Sequence, residues 1–270
     1  VKAINSRDNP SFKALKALMG DARKQRSEGR TLIEGSHLVT ACLDHDHPID
    51  LLVVSETAVQ NPEVAALLAR AGAVETLVLR DALFRELSDL ATPLGILARI
   101  AVPIYSADPA GAVPPAPTFS IEGDCLLLDA VQDAGNVGTL LRTAAAAGVR
   151  DVLLGPGCAG AWTPRVLRAA QGAHFVLAIR EQADLAGFLK QYGGTSVAAV
   201  AHEGESLYAL DLSGPVAWLF GNEGAGISPE LIAASRRRAT IPLAPESESL
   251  NVAAAAAVCL FEMRRQRNIG

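Results

Sequence analysis

Aromatic residues are scarce in this chain, 4 % of 270 positions. Extensive stacking on nucleobases is therefore not expected. Cysteine is scarcer still. Cys42, Cys125, Cys158 and Cys259 stand far apart with no C-x-x-C pair, and they read as reduced core thiols in a cytoplasmic protein. No apolar run reaches the roughly 18 residues of a membrane span, so no membrane partner is expected. The stretch Val1 to Asp8 has no apolar signal-peptide segment, which agrees with a cytoplasmic expectation. Positive charge is short overall. The net charge of −5 argues against a general nucleic-acid binder. The shortage is not uniform, because residues 1–30 carry Lys2, Arg7, Lys13, Lys16, Arg23, Lys24, Arg26 and Arg30 against only Asp8, Asp21 and Glu28. A local basic face is what phosphate binding needs; a solvated helix explains the same residues.

What is present is apolar. Half the residues are hydrophobic, enough for a substantial core, and the length favours two domains or one large one. Lys13 to Glu28 is expected as one charged helix with Leu15, Leu18 and Met19 on its apolar stripe. Strands are expected at Thr31–Glu34, Ile49–Ser55 and Val74–Leu79, with helices at Ser36–Leu43, Pro62–Ala71 and Asp81–Asp89, and Leu94–Ile100 closing a small α/β unit. Asp44-His45-Asp46-His47 resembles a metal cluster, but adjacent residues alternate direction. It is expected to be a polar loop, and no metal site is expected. Pro103, Pro109, Pro114, Pro115 and Pro117 with Gly111 can continue neither sheet nor helix, so 103–123 reads as a linker.

Beyond it, apolar runs at 125–128, 152–154, 175–179, 195–201 and 216–220 alternate with helix-compatible segments, and Ser249 to Arg265 reads as a long Ala-rich helix. Repeated β–α units predict an α/β domain with a mostly parallel sheet. Three polar clusters interrupt this half. Asn136-Val137-Gly138 precedes Arg142 at a strand-to-helix turn, where Asn136 also reads as a cap. Gly221-Asn222-Glu223-Gly224-Ala225-Gly226 follows the apolar run Val216 to Phe220. It has neither the Rossmann nor the P-loop glycine spacing. Ser228 is a plausible cap for the helix that follows, with Pro229 at its first position. Ile241-Pro242-Leu243 leads to Ser249-Leu250-Asn251, where Ser249 and Asn251 also read as caps.

Together these clusters resemble the three motifs of the SpoU-type branch of the SPOUT RNA methyltransferases. Asn136, Gly138 and Arg142 match N-x-G…R. Gly221 to Gly226 match G-x-E-G-x-G. Ile241, Pro242, Ser249, Leu250 and Asn251 match I-P…S-L-N. Arg168 to His174 resemble the family's connecting helix and turn. Leu32 to Val39 and Thr92 to Leu97 are similar to the substrate-binding domain that often precedes it. The resemblance implies a small α/β RNA-binding domain, ribosomal-protein-L30e-like, over 1–102, and over 124–270 an α/β-knot domain with a deep trefoil knot. It implies S-adenosylmethionine as cofactor, held at Gly221, Ile241 and Leu250, with Asn222, Val200 and Ala201 as further candidates. It implies the ribose 2′-hydroxyl of an RNA as acceptor, ribosomal RNA by the preceding domain type. A tRNA methyltransferase and a non-catalytic knotted RNA-binding protein are the alternatives. Arg142 would be the family's base, oriented by Asn136, and would face the cofactor pocket of a second subunit in a homodimer. A guanidinium with a pKa above about 12 is an awkward base. It is better suited to hold a phosphate and stabilise the developing alkoxide, with Glu223, Ser249 and Asn251 ordering it and the ribose. Arg236-Arg237-Arg238 could add phosphate contacts or serve as solvated helix-end charge. His174 and His202 are expected to be satisfied polar residues rather than catalysts.

Overall fold

Asn9 and Pro10 start the first helix by simple local rules. The Asn9 carboxamide accepts the Ser11 N–H at 2.9 Å, and Pro10 takes the first turn, where no donor is missed. The structure, a computed structural model, describes residues 2–102 and 121–267. Most of the expected linker, 103–120, lies outside the described residues. The chain forms two compact units, and Trp162–Phe175 belong to the N-terminal one.

In the N-terminal unit the order is β1 (Lys2–Ile4), α1 (Pro10–Gly20), α2 (Ala22–Glu28), β2 (Arg30–Glu34), α3 (Ser36–Asp44), β3 (Ile49–Ser55), α4 (Pro62–Ala71), β4 (Thr76–Leu79), α5 (Asp81–Leu87) and β5 (Ile96–Ala101). The five-stranded sheet runs β1-β4-β3-β5-β2. Its first three strands are parallel, and β5 is antiparallel to both β3 and β2. Leu32, Leu51, Val53, Leu79 and Leu97 on the strands share a core with Phe12, Leu15, Leu18, Phe84 and Leu87 on the helices. The single helix expected over 13–28 is in fact two. Gly20 ends the first, Asp21 turns extended, and its carboxylate accepts the N–H groups of Arg23 at 2.7 Å and Lys24 at 3.2 Å, capping the second. In the Asp44–His47 stretch, Asp44 pairs with Arg70 at 2.6 Å and the His47 ring meets the Ala101 carbonyl at 3.2 Å.

The second half supplies β6 (Cys125–Leu128), α6 (Ala134–Ala147), β7 (Asp151–Leu154), α7 (Pro164–Ala170), β8 (Ala178–Arg180), α8 (Leu185–Gln191), β9 (Thr195–Ala199), β10 (Glu205–Ser206), β11 (Val216–Phe220), α9 (Pro229–Ala234), β12 (Arg237–Thr240) and α10 (Val252–Gln266). Of these, α7 packs in the N-terminal unit against β2, where the Thr31 hydroxyl donates to the Trp162 carbonyl at 2.8 Å. The others build a seven-stranded sheet, β10-β12-β9-β11-β6-β7-β8, with every neighbouring pair parallel. The central strands β6 and β11 are buried along their whole length, as a parallel sheet covered on both faces requires. Outside the sheet, α10 lies along α6. Several boundaries differ from expectation. The strand expected over 175–179 is confined to Ala178–Arg180, and Phe175 instead closes a short 3₁₀ turn that begins at Ala173. The last helix starts at Val252, so Ser249 precedes it.

The topology decides where chemistry can happen. The three polar clusters follow β6, β11 and β12, and Val200 and Ala201 follow β9. These four strands are adjacent and parallel in the order β12-β9-β11-β6, so all four turns emerge at one edge, the carboxyl ends of the strands. That edge is where open α/β sheets bind ligands.

Candidate active site

At the end of β11 the chain doubles back on itself. A Cβ on Gly221 would overlap the carbonyl carbon of Gly226 and the nitrogen of Ile227, so only glycine fits. Asn222 and Gly226 exchange backbone hydrogen bonds at 3.0 and 2.9 Å, and Gly226 has φ +71°, a conformation that favours glycine. The Asn222 carboxamide serves this loop. Its oxygen accepts the N–H groups of Gly224 and Ala225, each at 2.9 Å, and its nitrogen donates to the Ala130 carbonyl at 2.8 Å. Its side-chain polar atoms are thus engaged within the protein, although Asn222 still lines the cleft. Asp129, the residue after β6, accepts the Ser228 N–H at 2.8 Å and ties the entry of α9 to the same edge. Ser228 holds the cap position of α9 without a side-chain cap bond.

Glu223 projects from this loop toward the start of α6. Its carboxylate accepts the Asn136 side-chain N–H at 2.8 Å and faces the backbone N–H groups of Gln132 and Asp133 at 3.4 Å. Desolvation pushes the carboxyl up, but these hydrogen bonds outweigh it and hold the net value below the ordinary glutamate range. The sign follows from linkage. A carboxyl depressed in the folded state stabilises the fold above its unfolded pKa of about 4.3, and that stabilisation is lost as pH falls through the folded value. The difference in melting temperature between wild type and Glu223→Gln is expected to be constant above about pH 5 and to shrink below about pH 4. A thermal-melt series across pH checks it, and a difference independent of pH would refute it.

Asn136 is not a helix cap, contrary to one sequence reading. Asp133 is the cap, and its carboxylate accepts the Asn136 N–H at 2.8 Å. The Asn136 side chain is therefore available to join two loops. It donates to Glu223, and its oxygen accepts the Asn251 side-chain N–H at 3.0 Å. Asn251 uses its own oxygen to cap α10, accepting from Ala253 at 2.9 Å and Ala254 at 3.3 Å. One relay, Glu223–Asn136–Asn251, thus couples all three polar clusters. Sequence reasoning missed Asp133 and Asp129 as its supports; their signal was an acid just past a buried strand and three residues before Asn136.

Beside the relay lies a cleft of about 450 Å³, within the range of small-molecule sites. Val200 and Ala201, the loop Gly221 to Gly224, Ile241 with Leu243, and Ser249 to Val252 line it. Leu250 is 40 % exposed, an apolar side chain kept in water beside an apolar wall. All the sequence-predicted cofactor residues and Glu223, Ser249 and Asn251 thus share one cleft. Arg142 is not brought to it. It stands six residues past Asn136, about 240° around the helix and about 9 Å along it. Its side chain is exposed and makes no hydrogen bond or ion pair among the described residues. Of the arginine triplet, Arg236 donates to the Tyr192 carbonyl and Arg237 pairs with Glu205, so two of its three cations serve the fold. His174 is buried and packs against Trp162, with ring centroids 4.9 Å apart.

Residues 125–261 match the SpoU rRNA Methylase family, and residues 9–98 match the MRM3-like substrate binding domain. The 23S rRNA (guanosine(2553)-2′-O)-methyltransferase RlmP of Bacillus subtilis is 32 % identical, covering 98 % of this chain and 100 % of its own. An AdoMet-bound rRNA methyltransferase from Sinorhizobium meliloti superposes with a TM-score of 0.80 at 28 % identity, over 98 % of this chain and 97 % of that one. The SpoU methyltransferase AviRb from Streptomyces viridochromogenes, in complex with AdoMet, superposes with a TM-score of 0.83 at 25 % identity, over 97 % and 99 %.

Proposed function

Because this chain belongs to the SpoU rRNA methylase family, we propose that it transfers the methyl group of S-adenosylmethionine to a ribose 2′-hydroxyl of ribosomal RNA. The observation that carries this reading is the convergence of the three polar clusters on one cleft through the Glu223–Asn136–Asn251 relay. The cleft suits the cofactor. Ile241, Leu243, Leu250 and Val200 give apolar walls for an adenine, and the turns at Gly221 and Ile241 present backbone groups for its polar edge. When bound, S-adenosylmethionine supplies an activated methyl group on a sulfonium.

The protein's own residues then have two tasks, alignment and charge management. Asn136 and Asn251 hold Glu223 and the entry of α10 in fixed register. Ser249, which lines the cleft, hydrogen-bonds the acceptor ribose in this reading. Arg142 compensates the charge that develops on the ribose oxygen as its proton passes to solvent water. It reaches the cleft of a second copy rather than its own, so the working unit is a homodimer. Two features support this. Arg142 makes no hydrogen bond or ion pair among the described residues. The side of α10 turned from the core carries Ala254, Val258 and Phe261 at helical spacing, with Phe261 47 % exposed. The deep trefoil knot and a cytoplasmic site of action belong to the same proposal.

The test is methyl transfer from labelled S-adenosylmethionine to unmodified, transcribed 23S rRNA, with the product mapped by mass spectrometry. A single 2′-O-methylated nucleotide is the expected result. Labelling of tRNA alone would move the substrate class, and cofactor binding without transfer would remove the enzymatic reading.

A further inference from the structure

In the N-terminal unit, Arg30 opens β2 immediately after Gly29, and Arg99 lies near the end of β5. Arg99 is directly opposite Leu32 in the antiparallel pair and opposite Leu51 on β3. Side chains of opposed residues share a face, and Arg30 shares it with Leu32 by the two-residue period of a strand. Strict alternation would put Asp50, the neighbour of Leu51, on the other face. The pairing of β3 with β5 slips between Ile49 and Leu51, and such an irregularity re-aims a side chain. The Asp50 carboxylate therefore meets both guanidiniums. Arg30 donates from Nε to Oδ2 at 2.6 Å and Arg99 from Nε to Oδ1 at 2.7 Å.

Only part of the donor set is used in this way. A guanidinium has five N–H donors. Arg30 uses one more, to the Gly29 carbonyl at 3.0 Å, and the other Nη donors of both residues have no acceptor among the described residues. Each arginine side chain is 32 % exposed, so both are partly open to solvent. Two cations on one carboxylate leave one positive charge uncompensated in a half-buried place. A single Arg–Asp pair would have sufficed to tie β2 to β3. The second guanidinium, held by its Nε edge, adds like charge that the Asp50 carboxylate alone does not balance.

We propose that Arg30 and Arg99, pre-oriented by Asp50, are a fork for a phosphodiester of the RNA substrate. Paired guanidiniums match phosphate oxygens in geometry and charge, and contacts to the backbone position an RNA without reading its sequence. The assignment rests on the RNA-methyltransferase reading and goes beyond it by locating a contact outside the catalytic cleft.

The experiment uses the full chain, with wild type, Arg30→Gln and Arg99→Gln, and transcribed 23S rRNA as the probe. Binding is followed over a range of salt concentrations. Each variant is expected to bind about ten-fold more weakly, with a log–log salt slope shallower by about one. KM for RNA should rise, while kcat at saturation and cofactor affinity stay unchanged. A folded variant with unaltered RNA affinity and slope would overturn the fork while leaving the function standing. A wild type that neither binds nor methylates the RNA would overturn both. Should the glutamine variants not fold, arginine modification of wild type by phenylglyoxal, read by mass spectrometry, decides. RNA should protect Arg30 and Arg99, and equal labelling with and without RNA refutes the proposal. Equal protection by polyglutamate would assign the fork to an acidic protein partner and refute it too.

Discussion

Arg142→Ala is expected to lower kcat by about 10²- to 10³-fold, the scale of losing one preorganised stabiliser of developing oxyanion charge. Cofactor affinity should not change, because Arg142 lies outside the cleft of its own chain. Stability should scarcely change either, because the side chain is exposed and makes no hydrogen bond or ion pair among the described residues. Single-turnover methyl transfer with calorimetry on the same protein checks the pair of outcomes. Undiminished turnover would strike Arg142 from the chemistry. A parallel loss of cofactor binding would mean that it acts through the cleft rather than on the acceptor.

The second large effect is expected at Gly221. A methyl group there overlaps backbone atoms of Gly226 and Ile227, which cannot swing aside as a flexible side chain would. Overpacking of this kind costs about 1–3 kcal/mol or more. It falls on the loop held by the Asn222–Gly226 pair, not on the central strands. Gly221→Ala should therefore remain folded and lose cofactor affinity by at least about 100-fold, in line with a local cost near 3 kcal/mol. Gly224→Ala is the control in the same loop. Its Cβ would meet only the Asn222 side-chain oxygen, at 3.6 Å, an ordinary contact, and its affinity should stay within a few-fold of wild type. Equal effects at the two glycines would refute the steric account.

The two damaged proteins also test the homodimer. A mixed dimer of Arg142→Ala and Gly221→Ala chains contains one intact cleft facing one intact arginine, if the arginine acts across the interface. Co-expression should then restore transfer well above the residual level of either variant alone. Failure to restore it would place Arg142 with its own chain's cleft.

Much of this was legible before any coordinates. The buried strands β6 and β11 are unbroken apolar runs, and apolar runs of that length between helical segments have few other uses. The residues at the strand ends stood out because they are polar among apolar neighbours. Pairings made over long sequence distances were not legible. Whether Asn136 caps α6 or joins two loops depends on Asp133 taking the cap, and both residues are good caps in isolation. The break at Asp21 was masked by helix-compatible residues on either side. The packing of α7 with the N-terminal unit depends on contacts such as Thr31 to Trp162, 131 positions apart, and leaves no local trace. The slip at Asp50 has the same character, since alternation read along β3 alone puts that carboxylate on the wrong face.

The hydrogen bond between Asn251 and Asn136 spans 115 positions of chain, and β12, which carries Ile241 to the cleft, is paired only with β9 and the short edge strand β10. The last strand and last helix thus complete a centre whose other parts are synthesised much earlier. On the ribosome the growing polypeptide therefore has no complete cofactor cleft until its late segments emerge and dock. A premature stop before Asn251 removes the bond that joins the third polar cluster to Asn136 and leaves the cleft without part of its lining.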